Sequence, residues 1–376
     1  MRIVLTGGGT AGHFYPLIAI AEELHRIAEE EKLLKPELFY VSVSPYDKKA
    51  LFENDITFKK ILSGKMRRYI SIFSIFDILK LAIGIPLSLW KIFRIYPDVI
   101  VSKGGYASFP VVFAGRLLRI PLVIHESDAV PGRTNIWSAQ FARRVAVSWD
   151  EAAQFFPKEK TAVVGQPVRH ALLHPISEGA HEYLKLEEGV PLILVLGGSQ
   201  GAARINTTIL DALPQLTERY QVIHQTGMAH LANARQMASV ILSSQDKHTS
   251  RYKPFGYLND LALRMSAGVA TIVISRAGST IFEIAAWGIP SIIVPITASN
   301  GDHQRKNAFS YARRGAAIIM EEKNLTPNLL LSEIKRVMEN GALQKEMKTA
   351  AQSFFKQGAA AKIAREAIKI ALKHER

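Results

Sequence analysis

The sequence predicts an α/β protein built from two α/β/α units in tandem. Three observations carry that reading. At 376 residues the chain is longer than one ordinary domain. Short apolar runs without polar alternation recur between helix-like segments, the pattern of parallel strands covered by helices on both faces. Each half also opens with such a run followed at once by a glycine-rich turn, TGGGTAGH at 6–13 and LGGSQGAARIN at 196–206.

In the first half, strands are expected at 3–7, 38–43, 98–104, 121–126, 144–149 and 161–165. In the second they are expected at 192–198, 220–227, 252–258, 270–278, 291–296 and 316–320. The polar stretch HPISEGAHEYLKLEEGVP (174–191) separates the halves, giving domains at 1–169 and 170–357. The segment GAAAKIAREAIKIAL (358–372) has helical amphipathic spacing and is expected, with the rest of 358–376, to return onto the first domain. Glycine turns at the carboxyl ends of the first strands place ligands at the sheet edges, with the two domains facing across a cleft.

Composition narrows the chemistry. The chain has no cysteine, which removes disulfides, thiolate metal sites and cysteine nucleophiles. MRIVLTGG runs straight into a strand, so no signal peptide is expected. A formal net charge of +14 calls for an anionic partner: nucleic acid, anionic lipid or a phosphorylated substrate.

The first turn contains G-x-G-x-x-G at Gly7, Gly9 and Gly12, the expression of a dinucleotide site. That reading needs an acid at the end of the second strand to hold a ribose, yet the strand ends VSVSPYD and Asp47 lies beyond it. His13 points elsewhere. In the first turn of a helix the positive end of the dipole disfavours the imidazolium, leaving a neutral ring suited to take a proton from an alcohol. A capping or packing histidine is the alternative, and the adjacent glycine turn weighs against it.

In the second half, SRAGSTIFEIAAWGIP (275–290) joins Arg276 to a helix start at Gly278, Ser279 and Thr280, where a diphosphate can be received. Glu283, one turn in, can hydrogen-bond both hydroxyls of a ribose or simply complement the dipole. Downstream, SNGDHQRKN (299–307) offers Gln304 to a sugar.

Taken together, GGGTAGHFYP, SKGGYASFP, HESDAVPGRTN, VVGQPVR, GGSQGA, SRAGSTIFE and DHQRKNA resemble the MurG family over nearly the whole chain and in the same order. These are UDP-N-acetylglucosamine transferases that convert lipid I to lipid II in peptidoglycan synthesis. The resemblance implies a GT-B fold of two Rossmann-like domains, an inverting transfer, and no metal or other cofactor at the reaction centre. It implies that Thr10, Ala11 and Gly12 line the donor sugar, Gly12 also facing the acceptor diphosphate. Arg169, Ser199, Arg276, Gly278, Ser279, Thr280 and Glu283 would grip the UDP. Gln304 would hold sugar hydroxyls, Leu258 would lie near the uracil, Tyr106 and Glu126 would serve the acceptor, and His13 would be the base. Three departures stand out. The usual HEQN reads HESD, so Asp128 replaces an amide expected at the donor sugar; Ala11 replaces a glycine; and the segment from Gly278 to Glu283 is one residue short, which blurs the partners of Ser279 and Thr280.

Residues 59–94 explain the charge. Eight basic side chains, Lys65, Arg67 and Arg68 among them, stand there against Asp77 alone, beside apolar Ile72, Phe73, Ile75, Phe76, Leu79 and Trp90. Asp77, Lys80 and Pro86 interrupt the run, so no stretch of about twenty apolar residues remains to span a bilayer. An interfacial surface on anionic lipid is expected instead, placing the protein peripherally on the cytoplasmic face of the plasma membrane. Two core helices with a solvated basic face are the plainer alternative. No nucleic-acid module is legible. The expected partners are UDP-N-acetylglucosamine, a lipid-linked muramyl peptide and the membrane surface. A UDP-N-acetylglucosamine 2-epimerase of the same fold and a non-catalytic membrane-surface module are the competing functions.

Overall fold

A computed structural model describes residues 1–64, 72–198, 202–243, 246–297 and 300–374. The chain forms two compact units, residues 1–169 with 356–376, and residues 170–355. The expected Lys65, Arg67, Arg68 and Ser199 lie outside the described residues, as do the side chains of Ile72 and Phe73.

The first unit runs β1 (Arg2–Thr6), α1 (Ala11–Glu30), β2 (Glu37–Ser42), α2 (Lys48–Glu53), β3 (Ile56–Lys60), α3 (Ile72–Ile95), β4 (Val99–Ser102), α4 (Phe109–Leu117), β5 (Leu122–Glu126), α5 (Arg133–Ala139), β6 (Arg144–Val147) and β7 (Thr161–Val163). Its seven strands are ordered β3-β2-β1-β4-β5-β6-β7, and every pairing is parallel. The order reverses between β1 and β4, where crossovers leave in opposite directions and open a crevice at the strands' carboxyl ends. The central strands are apolar because helices cover both faces: β4 and β5 are buried at every residue. β3 is the strand that the sequence reading passes over. ITFKK alternates and is half exposed at the sheet edge, so it never presents a continuous apolar run.

The second unit runs α6 (Ala180–Leu184), β8 (Leu192–Leu196), α7 (Ala203–Arg219), β9 (Gln221–Gln225), α8 (Leu231–Ile241), α9 (Asp246–Ser250), β10 (Tyr252–Phe255), α10 (Asp260–Val269), β11 (Ala270–Ser275), α11 (Thr280–Trp287), β12 (Ser291–Ile293), α12 (His303–Ala312), β13 (Ala317–Ile319), α13 (Pro327–Met338) and α14 (Gly341–Phe354). Its six parallel strands are ordered β10-β9-β8-β11-β12-β13, with the reversal between β8 and β11. Several strands in both units are shorter than the sequence runs, because Lys103–Gly104, Gly197–Gly198 and Arg276–Gly278 belong to the turns.

The last helix, α15 (Ala359–His374), belongs to the first unit. Ile363, Ala364, Ala367, Ile368 and Ala371 enter the same core as Ile20, Leu24 and Ile27 of α1. Small alanines let the helices approach, and Arg365–Glu31 and Arg144–Glu366 pairs tie the rim. Those exposed pairs contribute little beside the buried face. Replacing Ile363 with alanine should cost the first unit about 2–5 kcal/mol, read from urea unfolding. A shift below about 0.5 kcal/mol would mean that α15 is a loosely attached tail.

Candidate functional site

The two turns at the first switch point press against each other. Gly8 N–H donates to the Gly104 carbonyl at 3.0 Å. A Cβ on Gly8 would lie 3.2 Å from Gly105 Cα, and one on Gly7 would lie 2.9 Å from the His13 carbonyl oxygen. Gly104 and Gly105 both take positive φ, +75° and +82°, which only glycine adopts without strain. Only glycines permit this approach, and it brings the start of α1 beside the Tyr106 loop. Thr10 stands at the N-cap position, and its hydroxyl lies 2.9 Å from His13 Nδ1. The other ring nitrogen, Nε2, borders Gly105, where an added Cβ would be 3.5 Å away. Tyr106 places its hydroxyl next to Gly9, and burial, with Asp77 nearby, pushes that hydroxyl up from its ordinary value. His13, Thr10, Ala11, Gly12 and Tyr106 therefore gather at one corner. Asp47 is a helix cap: it accepts from Lys49 and Ala50 N–H groups and from Tyr15 O–H, leaving the dinucleotide reading without its ribose acid. Arg169 ends the unit with its guanidinium 4.1 Å from the centre of the Tyr15 ring.

Behind the turns lies a buried polar network that ties together the ends of β4, β5, β6 and β7. Lys103, 2% exposed, donates to His125 Nδ1 at 2.6 Å and to Ser127 Oγ. His125 Nε2–H donates to the Gly165 carbonyl at 3.0 Å, which fixes the tautomer that accepts from Lys103. Ser127 and Ser148 hydroxyls both donate to Gln166 Oε1. Burial, then the neighbouring ammonium, holds His125 well below its ordinary value. Lys103 is pulled down by burial and pushed back by Glu126 and Asp128, to about 7.

Glu126 is buried, accepting from the N–H groups of Asp128 (2.9 Å) and Gly132 (3.0 Å) and from Asn135 Nδ2 (2.9 Å). Those donors reach both of its oxygens and hold the 126–132 loop. Asp128, two residues on, is half-buried.

In the second unit the glycine turns again sit at the switch point. Gly197 N–H donates to the Gln225 carbonyl, and a Cβ there would lie 2.9 Å from that oxygen. Gly198, at φ +78°, and Gly278 both border open space. Buried Asn307 holds the 276–279 turn by donating to the Ala277 carbonyl at 3.2 Å. Ser279 occupies the N-cap position of α11 without capping it through its side chain, and Thr280 and half-buried Glu283 follow in the first turn. Gln304 Oε1 accepts from Ile296 N–H at 3.1 Å, which orients the amide after β12. Leu258 is buried, its N–H donating to Gln225 Oε1 at 3.0 Å.

Arg276 brings a partner that the sequence did not suggest. Its guanidinium pairs with Glu322 and donates to the Val294 carbonyl. Glu322 also accepts from the N–H and hydroxyl of Thr297. Burial pushes Glu322 up, but Arg276 and Thr297 outweigh it and leave the carboxyl below its ordinary range. No local pattern in MEEKN announces this residue. Lys103 had a fainter signal, a charged residue inside the apolar run VIVSKGG.

α3 is amphipathic the wrong way round. Asp77, Gly84, Ser88, Ile92 and Ile95 face inward, and a Cβ on Gly84 would lie 2.0 Å from the Leu62 carbonyl oxygen. Ile75, Phe76, Ile78, Leu79, Ile83, Trp90 and Phe93 are all more than half exposed, Ile78 by 66%. A stripe at 75, 79, 83 and 90 follows helical spacing. Among the described residues no helix is long and apolar enough to cross a membrane.

Residues 3–147 match the glycosyltransferase family 28 N-terminal domain, and residues 192–363 match the C-terminal domain of that family. The chain belongs to glycosyltransferase family 28. Among its family 28 relatives is a protein of Bacillus thuringiensis subsp. konkukian, 36% identical over 92% of this chain and 93% of the relative. That protein is named UDP-N-acetylglucosamine–N-acetylmuramyl-(pentapeptide) pyrophosphoryl-undecaprenol N-acetylglucosamine transferase 2. MurG of Acinetobacter baumannii shares the fold at a TM-score of 0.70 and 24% identity, over 98% of this chain and 99% of that one. A UDP-GlcNAc 2-epimerase of Neisseria meningitidis does so at 0.64 and 14%, over 99% and 100%. The family 28 chain thus has the GT-B architecture, which transferases and epimerases share.

One buried histidine of this family 28 protein is expected to make its second unit acid-sensitive. His224 lies between Tyr252 O–H and Asn206 Oδ1, at 3.0 Å from each, and Asn206 donates in turn to the Thr226 carbonyl. Burial lowers His224 from 6.5 to about 3. Between these values the unfolded chain binds the extra proton, so stability is full above about pH 6.5 and falls as pH drops toward 3, by up to about 1.4 kcal/mol per pH unit. His224→Gln should flatten this slope in urea unfolding followed from pH 7 to 4. An unchanged slope would assign the acid sensitivity to other groups.

Proposed function

We propose that the protein transfers N-acetylglucosamine from UDP-N-acetylglucosamine to the muramyl hydroxyl of undecaprenyl-diphosphate-linked N-acetylmuramoyl-peptide, lipid I to lipid II, with inversion. The observation that carries the reading is His13 in the first turn of α1, its Nδ1 on the Thr10 hydroxyl. With the Nδ1 proton donated to Thr10, Nε2 keeps its lone pair and takes the acceptor hydroxyl's proton as that oxygen attacks the anomeric carbon. The relatives' activity supports the substrate pair.

The second unit grips the donor. The N-termini of α7 and α11 offer backbone N–H groups to the diphosphate, and Glu283 takes the ribose. Arg276 reaches the diphosphate only in competition with Glu322, so backbone donors carry more of the leaving-group charge than the sequence implies. Gln304 and Asp128 meet sugar hydroxyls, Tyr106 serves the acceptor, and Arg169 and Ser199 complete the donor grip. The outward apolar face of α3 dips into the headgroup region, with the basic residues flanking it on anionic lipid at the cytoplasmic face of the plasma membrane.

His13→Ala should lower kcat about 10²–10⁴-fold and leave UDP affinity within about twofold. Turnover near wild type would remove His13 from its role. UDP release from labelled UDP-N-acetylglucosamine should require the lipid-linked acceptor; acceptor-independent epimer formation would make the protein an epimerase. Ile75→Ser with Leu79→Ser should weaken binding to vesicles containing phosphatidylglycerol by at least about tenfold, measured by co-sedimentation. Undiminished binding would move the membrane contact off α3.

A further inference from the structure

Arg276 and Glu322 form an ion pair in the second unit, their side chains only 14% and 20% exposed. Arg276 follows β11 directly, in the turn that leads to Gly278 and α11. Its guanidinium is drawn across to the end of β12, where it donates to the Val294 carbonyl at 3.2 Å. Glu322 opens the short helical turn Glu322–Asn324 after β13. One of its oxygens takes the guanidinium, and the other accepts from the N–H and the hydroxyl of Thr297, at 3.2 Å each. With both oxygens engaged, the carboxylate is held against the arginine. The cation beside the diphosphate turn is therefore already matched by an anion that neutral donors keep in place.

The transfer gives that anion a use. The bond between the anomeric carbon and the β-phosphate oxygen breaks, and the oxygen keeps the electron pair. UDP thus leaves with more negative charge than the same diphosphate carried as a sugar ester. An unmatched arginine would hold this product more tightly than the donor, by charge alone. A carboxylate in contact with the arginine opposes that preference, and it opposes the more highly charged species more. We infer that Glu322 is a selectivity residue: as the fixed counter-ion of Arg276 it keeps the donor site from retaining UDP, so that the product leaves and fresh sugar ester competes for the site.

The inference rests on the reading of the second unit as the UDP site, and a double-mutant cycle read by calorimetric titration with UDP and with uridine tests it. Glu322→Gln should tighten UDP about tenfold and leave uridine, which has no phosphate, within about twofold. Arg276→Met should weaken UDP about tenfold, because the carboxylate then faces the diphosphate alone. The double variant, neutral again, should return to within about threefold of wild type. In turnover, Glu322→Gln should be inhibited by UDP at about tenfold lower concentration. Unchanged or weaker UDP binding by Glu322→Gln overturns the inference, since a carboxylate that merely props up the site would loosen UDP when removed. Equal tightening of UDP and uridine overturns it too, because the effect would not then be one of charge. If Glu322→Gln does not fold, Arg276→Met and the double variant decide: tighter UDP in the double supports the counter-ion, and equal affinities overturn it. A wild type that binds no UDP removes the donor reading and the inference together, whereas UDP binding indifferent to Glu322 removes the inference alone.

Discussion

The hydrogen bond from Gly8 N–H to the Gly104 carbonyl, and the close approach it needs, organises the first unit. Side chains at either turn would hold β1 and β4 apart at their carboxyl ends. With glycine on both sides the turns touch, and His13 and Tyr106 come to one corner without either residue leaving its own element. That approach puts peptide groups where a helix or side chain would otherwise exclude water. The Lys103–His125–Ser127–Gln166 network links polar groups across four strand ends. It costs conformational freedom and fixes geometry in return.

The second unit repeats the plan with a different charge balance. Its glycine turns also lie at a switch point, but Gly198 and Gly278 border open space, Arg276 is paired with Glu322, and His224 is enclosed. Each unit thus carries glycine turns at the carboxyl ends of its central strands, on scaffolds of one type.

Much of this was legible in sequence. Parallel strands buried on both faces write themselves as apolar runs, and glycine turns mark the edges where chemistry collects. His13, Gly278 and Glu283 were readable because each stands at a fixed offset from such a turn. β3 was not, since an edge strand keeps one wet face and alternates. Glu322 was not, because its partner Arg276 is distant in sequence and nothing local records the pairing. Glu126 was read only through the family resemblance, and nothing local in HESD announces the three N–H donors that surround it.

The position of α15 has a consequence for how the protein is made. The helix that completes the first core is translated only after the whole second unit. At synthesis rates of about 5–20 residues per second, the intervening second unit alone takes about 10–40 s to appear. Throughout that interval the first unit waits with one face of α1 uncovered. The order of translation and the order of completion are therefore opposed, and a nascent-chain chaperone meets the N-terminal half as the unfinished one.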